Sequence, residues 1–271
     1  MKRLVICLLS LLMHPLCAAT PQRIVSLAPH TTELVYSLEA GERLLAVSDY
    51  SDYPEAAQAL PRIASYQGVN FEALVRLEPD LVLVWEGGNK PQDIRKIRTL
   101  GYNVFVSSPG RPEDIADEVE TLGDLLGKGA LAKDLAQTYR QSLKQIAARY
   151  AHTPPIRVFY YMHPKPLMSI GSGAWANKLL SLCNSNNVFS DAINDYPEVT
   201  MEEVIRRQPQ AIVAAQHQDE GSIQQFWQPW HSLLKMDGEH IVRINPDKLH
   251  RFSLRLSNGV KTLCQKLHGL R

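Results

Sequence analysis

Asn70-Phe-Glu-Ala-Leu-Val-Arg-Leu-Glu-Pro-Asp-Leu-Val-Leu-Val-Trp85 and Thr200-Met-Glu-Glu-Val-Ile-Arg-Arg-Gln-Pro-Gln-Ala-Ile-Val-Ala-Ala215 are two copies of one sixteen-residue unit, 130 positions apart. Glu72 pairs with Glu202, Arg76 with Arg206 and Pro79 with Pro209. Asn70 and Thr200 are both good N-cap types, and a short helical pattern follows each. Each Pro is expected to end its helix, and an apolar run of strand type comes next. Two copies of a helix–Pro–strand unit imply two similar lobes, and paired lobes usually hold a ligand between them.

Working outward, the first half alternates strand and helix signals. Arg23 to Ala28 is an apolar run, Thr31 to Leu38 reads as helix, Leu44 to Val47 as strand and Pro54 to Leu60 as a short helix. The first copy ends in the strand Leu81 to Trp85. A helix at Gln92 to Leu100, a strand at Val104 to Val106 and a helix at Glu113 to Leu126 complete the half. Such alternation predicts an α/β fold with a parallel sheet covered on both faces. Ala130 to Tyr150 then contains neither Pro nor Gly. Leu131, Leu135, Tyr139, Leu143, Ile146 and Tyr150 recur there at helical steps. A helix of that length spans about 30 Å, the width of a domain. Thr153-Pro154-Pro155 stops it, and strand signals restart at Ile156 to Tyr161. The segment is expected to be a rigid strut between the lobes. The second half continues with a helix at Trp175 to Cys183, the second repeat copy, strands at Ala211 to Ala214 and Ile241 to Ile244, and a final helix from Ser253 to Leu267.

The N-terminus reads as a secretion signal over residues 1–19. Lys2 and Arg3 precede the apolar run Leu4 to Met13, and Cys17-Ala18-Ala19 is a small-residue cleavage site. Ten apolar residues are too few for a spanning anchor. An alternative makes Cys17 a lipid-modified first residue, but His14-Pro15-Leu16 lacks the small residues expected before such a cysteine. The mature chain, starting near Thr20, has 27 basic and 28 acidic residues, a charge of −1. No basic stripe points to nucleic acid, and no excess of positive charge points to a strongly anionic ligand. It keeps two cysteines, Cys183 and Cys264. In an exported chain two cysteines most often pair. A metal or redox site is the alternative, but no C-x-x-C is present.

Enzyme motifs are largely missing. Gly171-Ser172-Gly173 lacks the spacing of a nucleophile elbow. There is no phosphate loop and no complete G-x-G-x-x-G, and the histidines show no metal-ligand pair. What remains is aromatic residues on turn-like segments: Tyr50 and Tyr53 after a strand, Tyr66 before the first repeat helix, Trp85 at the end of a strand, Tyr196 before the second repeat helix. In open α/β sheets ligands bind at the carboxyl ends of strands, and aromatic faces suit a flat, bulky, weakly charged ligand. The polar loop Asp247-Lys248-Leu249-His250-Arg251 follows the last strand, where Arg251 can donate and Asp247 accept.

These segments together resemble the periplasmic vitamin B12 (cobalamin) binding proteins of ABC importers, over essentially the whole mature chain. The marks are Ser-Asp-Tyr-Ser-Asp-Tyr-Pro at 48–54, Tyr-Gln-Gly-x-Asn at 66–70, Glu-Pro-Asp-Leu-Val at 78–82, Trp-x-Gly-Gly-Asn at 85–89, the two cysteines and the 247–251 loop. The resemblance implies two Rossmann-like lobes joined by a single long helix, the helical-backbone type of periplasmic binding protein. Its expected parts are lobes at 20–127 and 154–271 and a linking helix at 128–153. It implies corrin contacts from Tyr50, Tyr66 and Trp85 in the first lobe, and from Met168, Tyr196, Asp247, Lys248, Leu249, His250 and Arg251 in the second. It implies a Cys183–Cys264 disulfide, and permease docking through Glu72 and Glu202, one per lobe.

The expected role is therefore non-catalytic: capture of cobalamin in the periplasm and delivery to the permease and ATPase of an importer. No resident cofactor or metal is expected, and the free protein is expected to be a monomer. Tyr66 and Tyr196 stand where tryptophan is familiar, Met168 where an aromatic is, and Lys248 and His250 also depart from the pattern. These changes bear on affinity and on the choice among corrinoids. A haem or ferric-siderophore receptor is the alternative, with Tyr66 or His250 as an iron ligand. A secreted α/β hydrolase and a scaffold with an empty cleft are more remote.

Overall fold

A computed structural model describes residues 20–270. The expected signal segment 1–19, with Cys17, lies outside the described residues. The order from the N-terminus is β1 (Ile24–Ser26), α1 (Pro29–Ser37), β2 (Leu44–Ser48), β3 (Arg62–Ser65), β4 (Gly68–Val69), α2 (Phe71–Leu77), β5 (Leu81–Trp85), α3 (Pro91–Thr99), β6 (Val104–Ser107) and α4 (Asp114–Leu125). The long helix α5 (Gly129–Tyr150) follows. The second half contains β7 (Ile156–Tyr161), β8 (His163–Pro164), β9 (Leu167–Met168), α6 (Trp175–Leu182), β10 (Ser185–Asn187), α7 (Met201–Arg207), β11 (Ala211–Ala214), α8 (Glu220–Trp227), α9 (His231–Leu234), β12 (Ile241–Arg243) and α10 (Leu256–His268).

The first lobe is a six-stranded sheet in the order β4-β3-β2-β1-β5-β6, parallel except at the β3–β4 edge. The second is a four-stranded parallel sheet, β10-β7-β11-β12. The repeated strands β5 and β11 both occupy interior positions. Their continuous apolar runs are explained by two-sided burial. Leu81 and Leu83 face one core while Val82 and Val84 face another, and Ala211 and Val213 alternate likewise with Ile212 and Ala214.

One core spans the two lobes. It takes Leu81 and Leu83 from the first sheet, Val158 and Tyr160 from the second, and the buried face of α5: Ala132, Ala136, Tyr139, Leu143, Ile146 and Tyr150. At 22 residues α5 is about 33 Å long. It packs on α4 of the first lobe and on α6 and α10 of the second. The expected strut is thus also a shared core wall, so the lobes cannot swing far without opening that core. The Cys183–Cys264 disulfide ties the C-terminal end of α6 to α10 inside the second lobe.

Local details differ from expectation. Pro54 to Leu60 forms only a short 3₁₀ turn, Glu55–Ala59. Each repeat helix does end at the residue before its Pro: Glu78 and Gln208 lie in the left-handed region at φ 45° and 46°, since a following proline disfavours the right-handed helical region. The β3–β4 and β8–β9 hairpins, β10, α8 and α9 had no clear sequence signal. Among the described residues no helix is long and apolar enough to cross a membrane.

Candidate ligand-binding cleft

The carboxyl ends of both sheets supply the side chains of one aromatic cluster between the lobes. Trp85 ends β5, and its backbone N–H is held by Asn89 Oδ1 at 2.7 Å. Asn89 Nδ2 in turn donates to the Leu27 carbonyl at 2.9 Å, fastening the turn to β1's end. Gly87 and Gly88 lie against the indole; a Cβ on Gly88 would meet Trp85 Cε3 at 2.0 Å. The Trp-x-Gly-Gly-Asn run is therefore a seat for the Trp85 ring.

Phe252 of the second lobe meets Trp85 edge-on at 5.5 Å, Trp175 at 4.6 Å and His30 at 5.2 Å between ring centroids. Trp175 Nε1 donates to the Leu249 carbonyl at 3.0 Å, which fixes its tilt. A cavity of about 280 Å³ is bounded by Trp85 from the first lobe and by Met162, Ile170, Trp175, Tyr196, His250 and Phe252 from the second. Its walls are mostly apolar and aromatic, with one imidazole and one phenol.

That imidazole is neutral. Burial lowers the His250 pKa to about 4, and the Asp247 charge only partly opposes this. His250 Nε2 is paired with the Tyr160 hydroxyl at 2.9 Å. His30, under the cleft floor, is lowered to about 3 by burial and by the nearby Arg251 charge. His30 Nε2 is 2.8 Å from Ser107 Oγ, and Ser107 donates to Glu118 at 2.7 Å. Ser107 thus gives its proton to the carboxylate and receives one from the imidazole, the reverse of an activated nucleophile. Ser107 is also fully buried. This trio cannot serve the remote hydrolase reading.

The candidate residues divide into groups. Trp85, Tyr196 and His250 share the cavity. Tyr50 and Tyr66 stand outside it, 77% and 83% exposed, just past the ends of β2 and β3. Tyr50 has φ 62°, an uncommon conformation for a residue with a bulky side chain. Its turn is held by Asp49 N–H on the Ala64 carbonyl and by the Ser48–Ser51 hydroxyl pair. Met168 lies half-buried on β9, bridged to Glu198.

The 247–251 loop departs most from expectation. The Leu249 side chain is fully buried in the shared core, so it does not face a ligand. Lys248 is exposed, and its carbonyl packs against Gly259. Arg251 is not a free donor at a rim. It pairs with Glu33 at 3.2 Å, Asp52 at 2.5 Å and Asp247 at 3.0 Å, and its side chain is only 10% exposed. The Arg251 hydrogen bond holds the Asp52 carboxyl below the usual carboxylate range. Burial opposes the Arg251 charge, but its carboxylate partners outweigh that and raise its pKa.

Glu72 and Glu202 are exposed on α2 and α7. Glu72 accepts from Arg76 at 2.7 Å. Phe252, Trp175, Met162, Ile170 and His30 went unread in the sequence. Phe252 adjoins the 247–251 loop and could have been found by extending that motif one residue. Ile170 lies in the connection from the β8–β9 hairpin to α6, which has no periodic signal, and Trp175 opens the expected helix, whose pattern does not mark its ring as a cleft wall. Among the described residues no cluster of His, Cys, Asp or Glu could hold a metal ion.

The model of the family described as "Periplasmic binding protein" matches residues 24–228. A "Vitamin B12-binding protein" of Vibrio cholerae serotype O1 is 36% identical over 259 residues, covering 95% of this chain and 92% of that protein. The crystal structure of the periplasmic vitamin B12 binding protein BtuF of Vibrio cholerae superposes with a TM-score of 0.84 at 34% identity, over 93% of this chain and 98% of that one. The periplasmic haem binding protein HutB of Vibrio cholerae also superposes, with a TM-score of 0.79 at 20% identity, over 91% of this chain and 99% of that one. That likeness extends to the fold alone.

Proposed function

The chain belongs to the periplasmic binding protein family, and from that premise we propose that it captures cobalamin between its lobes and hands it to an ABC importer. It is a binding protein of the periplasm, not an enzyme. The observation that carries the ligand is the aromatic cavity between the lobes, walled by Trp85 of the first and by Trp175, Tyr196 and Phe252 of the second. Its roughly 280 Å³ is far too small for a whole corrinoid. One edge of the ligand enters against Trp85, Trp175 and Phe252, and the faces of Tyr50, Tyr66 and Tyr196 cover the remainder. Neutral His250 is suited to amide side groups, since it adds no charge to the site. Asp247 offers a carboxylate at the same end. Arg251 acts through its carboxylate partners, not by touching the ligand.

The lobes at 20–127 and 154–271, with the 128–153 helix between them, act as the two jaws and their fixed hinge. A monomer carries one such cleft. Glu72 and Glu202, one per lobe, engage basic groups on the permease, and the ATPase meets the receptor only through that complex. The test is titration with cyanocobalamin followed by tryptophan emission. Trp85 and Trp175 lie at the cavity, so emission falls saturably as the corrinoid fills it. Unchanged emission, together with a sharp Soret band on adding haem, would move the assignment to a haem receptor.

A further inference from the structure

The lobes meet through buried charge as well as through α5. Glu33 lies on α1 of the first lobe and is 2% exposed. Two arginines of the second lobe converge on it. Arg255 donates through Nε to Glu33 Oε2 at 2.8 Å and through Nη2 to Glu33 Oε1. Arg251 donates to Glu33 Oε1 at 3.2 Å and to Asp52 at 2.5 Å, again across the lobes. Arg255 also sits 3.7 Å over the Tyr53 ring of the first lobe. Asp247 completes the set from Arg251's own side at 3.0 Å.

Burying these groups carries a desolvation cost that only well-formed pairing offsets. Pairing here requires one particular placement of the second lobe against the first. The two arginines bracket Phe252 in sequence, and Phe252 is the ring that crosses the cleft to Trp85 and His30. The ion cluster and the aromatic floor are therefore one mechanical unit. A neutral side chain at 33 removes the charge that draws both guanidinium groups across to the first lobe, leaving only Asp52 and the Tyr53 ring to hold them there.

We propose that Glu33 is a positioning residue: by gathering Arg251 and Arg255 it sets the lobe separation, and so the cleft width, before ligand arrives. The affinity arm of its test rests on the cobalamin reading above; the distance arm does not. Spin labels at Ala56→Cys and Ser190→Cys, exposed positions on opposite lobes, report the lobe separation in the mature protein with its disulfide intact. Glu33→Gln lengthens and broadens the distance distribution. Cobalamin affinity falls about tenfold, as expected when the binding-competent arrangement drops to roughly a tenth of the population. Arg255→Gln, at the more exposed end of the cluster, serves if Glu33→Gln does not fold, and shifts the distances in the same direction. An unchanged distribution in the folded variants overturns the proposal. Loss of cobalamin binding in the parent protein overturns the ligand reading, while the distances still decide the role of Glu33.

Discussion

The two repeat copies agree in backbone and differ in charge. Asn70 and Thr200 each cap their helix through a side-chain oxygen, at 3.0 Å to Ala73 N–H and 3.2 Å to Glu203 N–H. Each helix ends in a left-handed residue before its Pro, and each strand enters the middle of a sheet. Yet in the first copy Arg76 pairs with Glu72, whereas in the second Glu203 takes both Arg206 and Arg207, and Arg207 also holds Asp191. Arg206, the counterpart of Arg76, is thereby drawn away from Glu202. The fold constrains capping and burial at equivalent points, but the wiring of exposed charge follows whichever neighbours are present.

Reversing both exposed carboxylates has the largest consequence. Glu72→Arg with Glu202→Arg is expected to abolish cobalamin uptake in cells while leaving cobalamin affinity of the purified protein unchanged. Surviving uptake would reduce the repeat to a record of fold symmetry.

A second contrast is covalent. Only the second lobe is stapled among the described residues, by a disulfide closing a span of 81 residues. Replacing Cys183 and Cys264 by Ala should cost about 4 kcal/mol in the chain-entropy account, read by chemical denaturation. Hydrogen exchange should show the second lobe loosening before the first. Equal loosening would mean that the shared core around α5 couples the lobes into one unit.

Each lobe also sets a histidine at the cleft, His30 buried and His250 partly so. Below about pH 6.5 the unfolded chain binds a proton on His250 that the folded chain refuses until about pH 4. Stability therefore falls as pH drops across that window and levels off below it. The loss is about 3 kcal/mol for His250. His30 gives a loss of the same sign that continues to about pH 3. Denaturation of His250→Gln and His30→Gln across this range should each remove its own part of the slope. A slope unaltered in both would assign acid sensitivity to the carboxylates instead.

The different pairing of Glu72 and Glu202 has a milder consequence. An exposed ion pair is worth about 0–1 kcal/mol, so on the proposed docking Glu72 would give up only a little in exchanging Arg76 for a permease. Glu202 gives up no such pair. Glu202→Gln should therefore weaken association with importer-containing membranes a few-fold more than Glu72→Gln, measured side by side. Equal effects would show that Arg76 turns aside at no cost.

The fold was legible where burial repeats. The alternation that places Leu81 and Leu83 on one face and Val82 and Val84 on the other is written in an unbroken apolar run, and the stripe of α5 is written in its three- and four-residue steps. The cleft was only partly legible. Trp85 and Tyr196 showed themselves as rings on turns, and the resemblance added His250. The roles of Glu33 and Arg255 did not show, because they depend on two helices more than 200 residues apart meeting in space. Nor could a motif reveal that Leu249 turns into the core while its neighbour His250 lines the cavity.

Calorimetric titration of the mature protein with cyanocobalamin decides whether the cleft takes a corrinoid. A saturable one-to-one isotherm with a dissociation constant at or below about 1 μM, near −8 kcal/mol, is the predicted result. No binding heat with cobalamin at about 100 μM, a threshold near −5.5 kcal/mol, would contradict it.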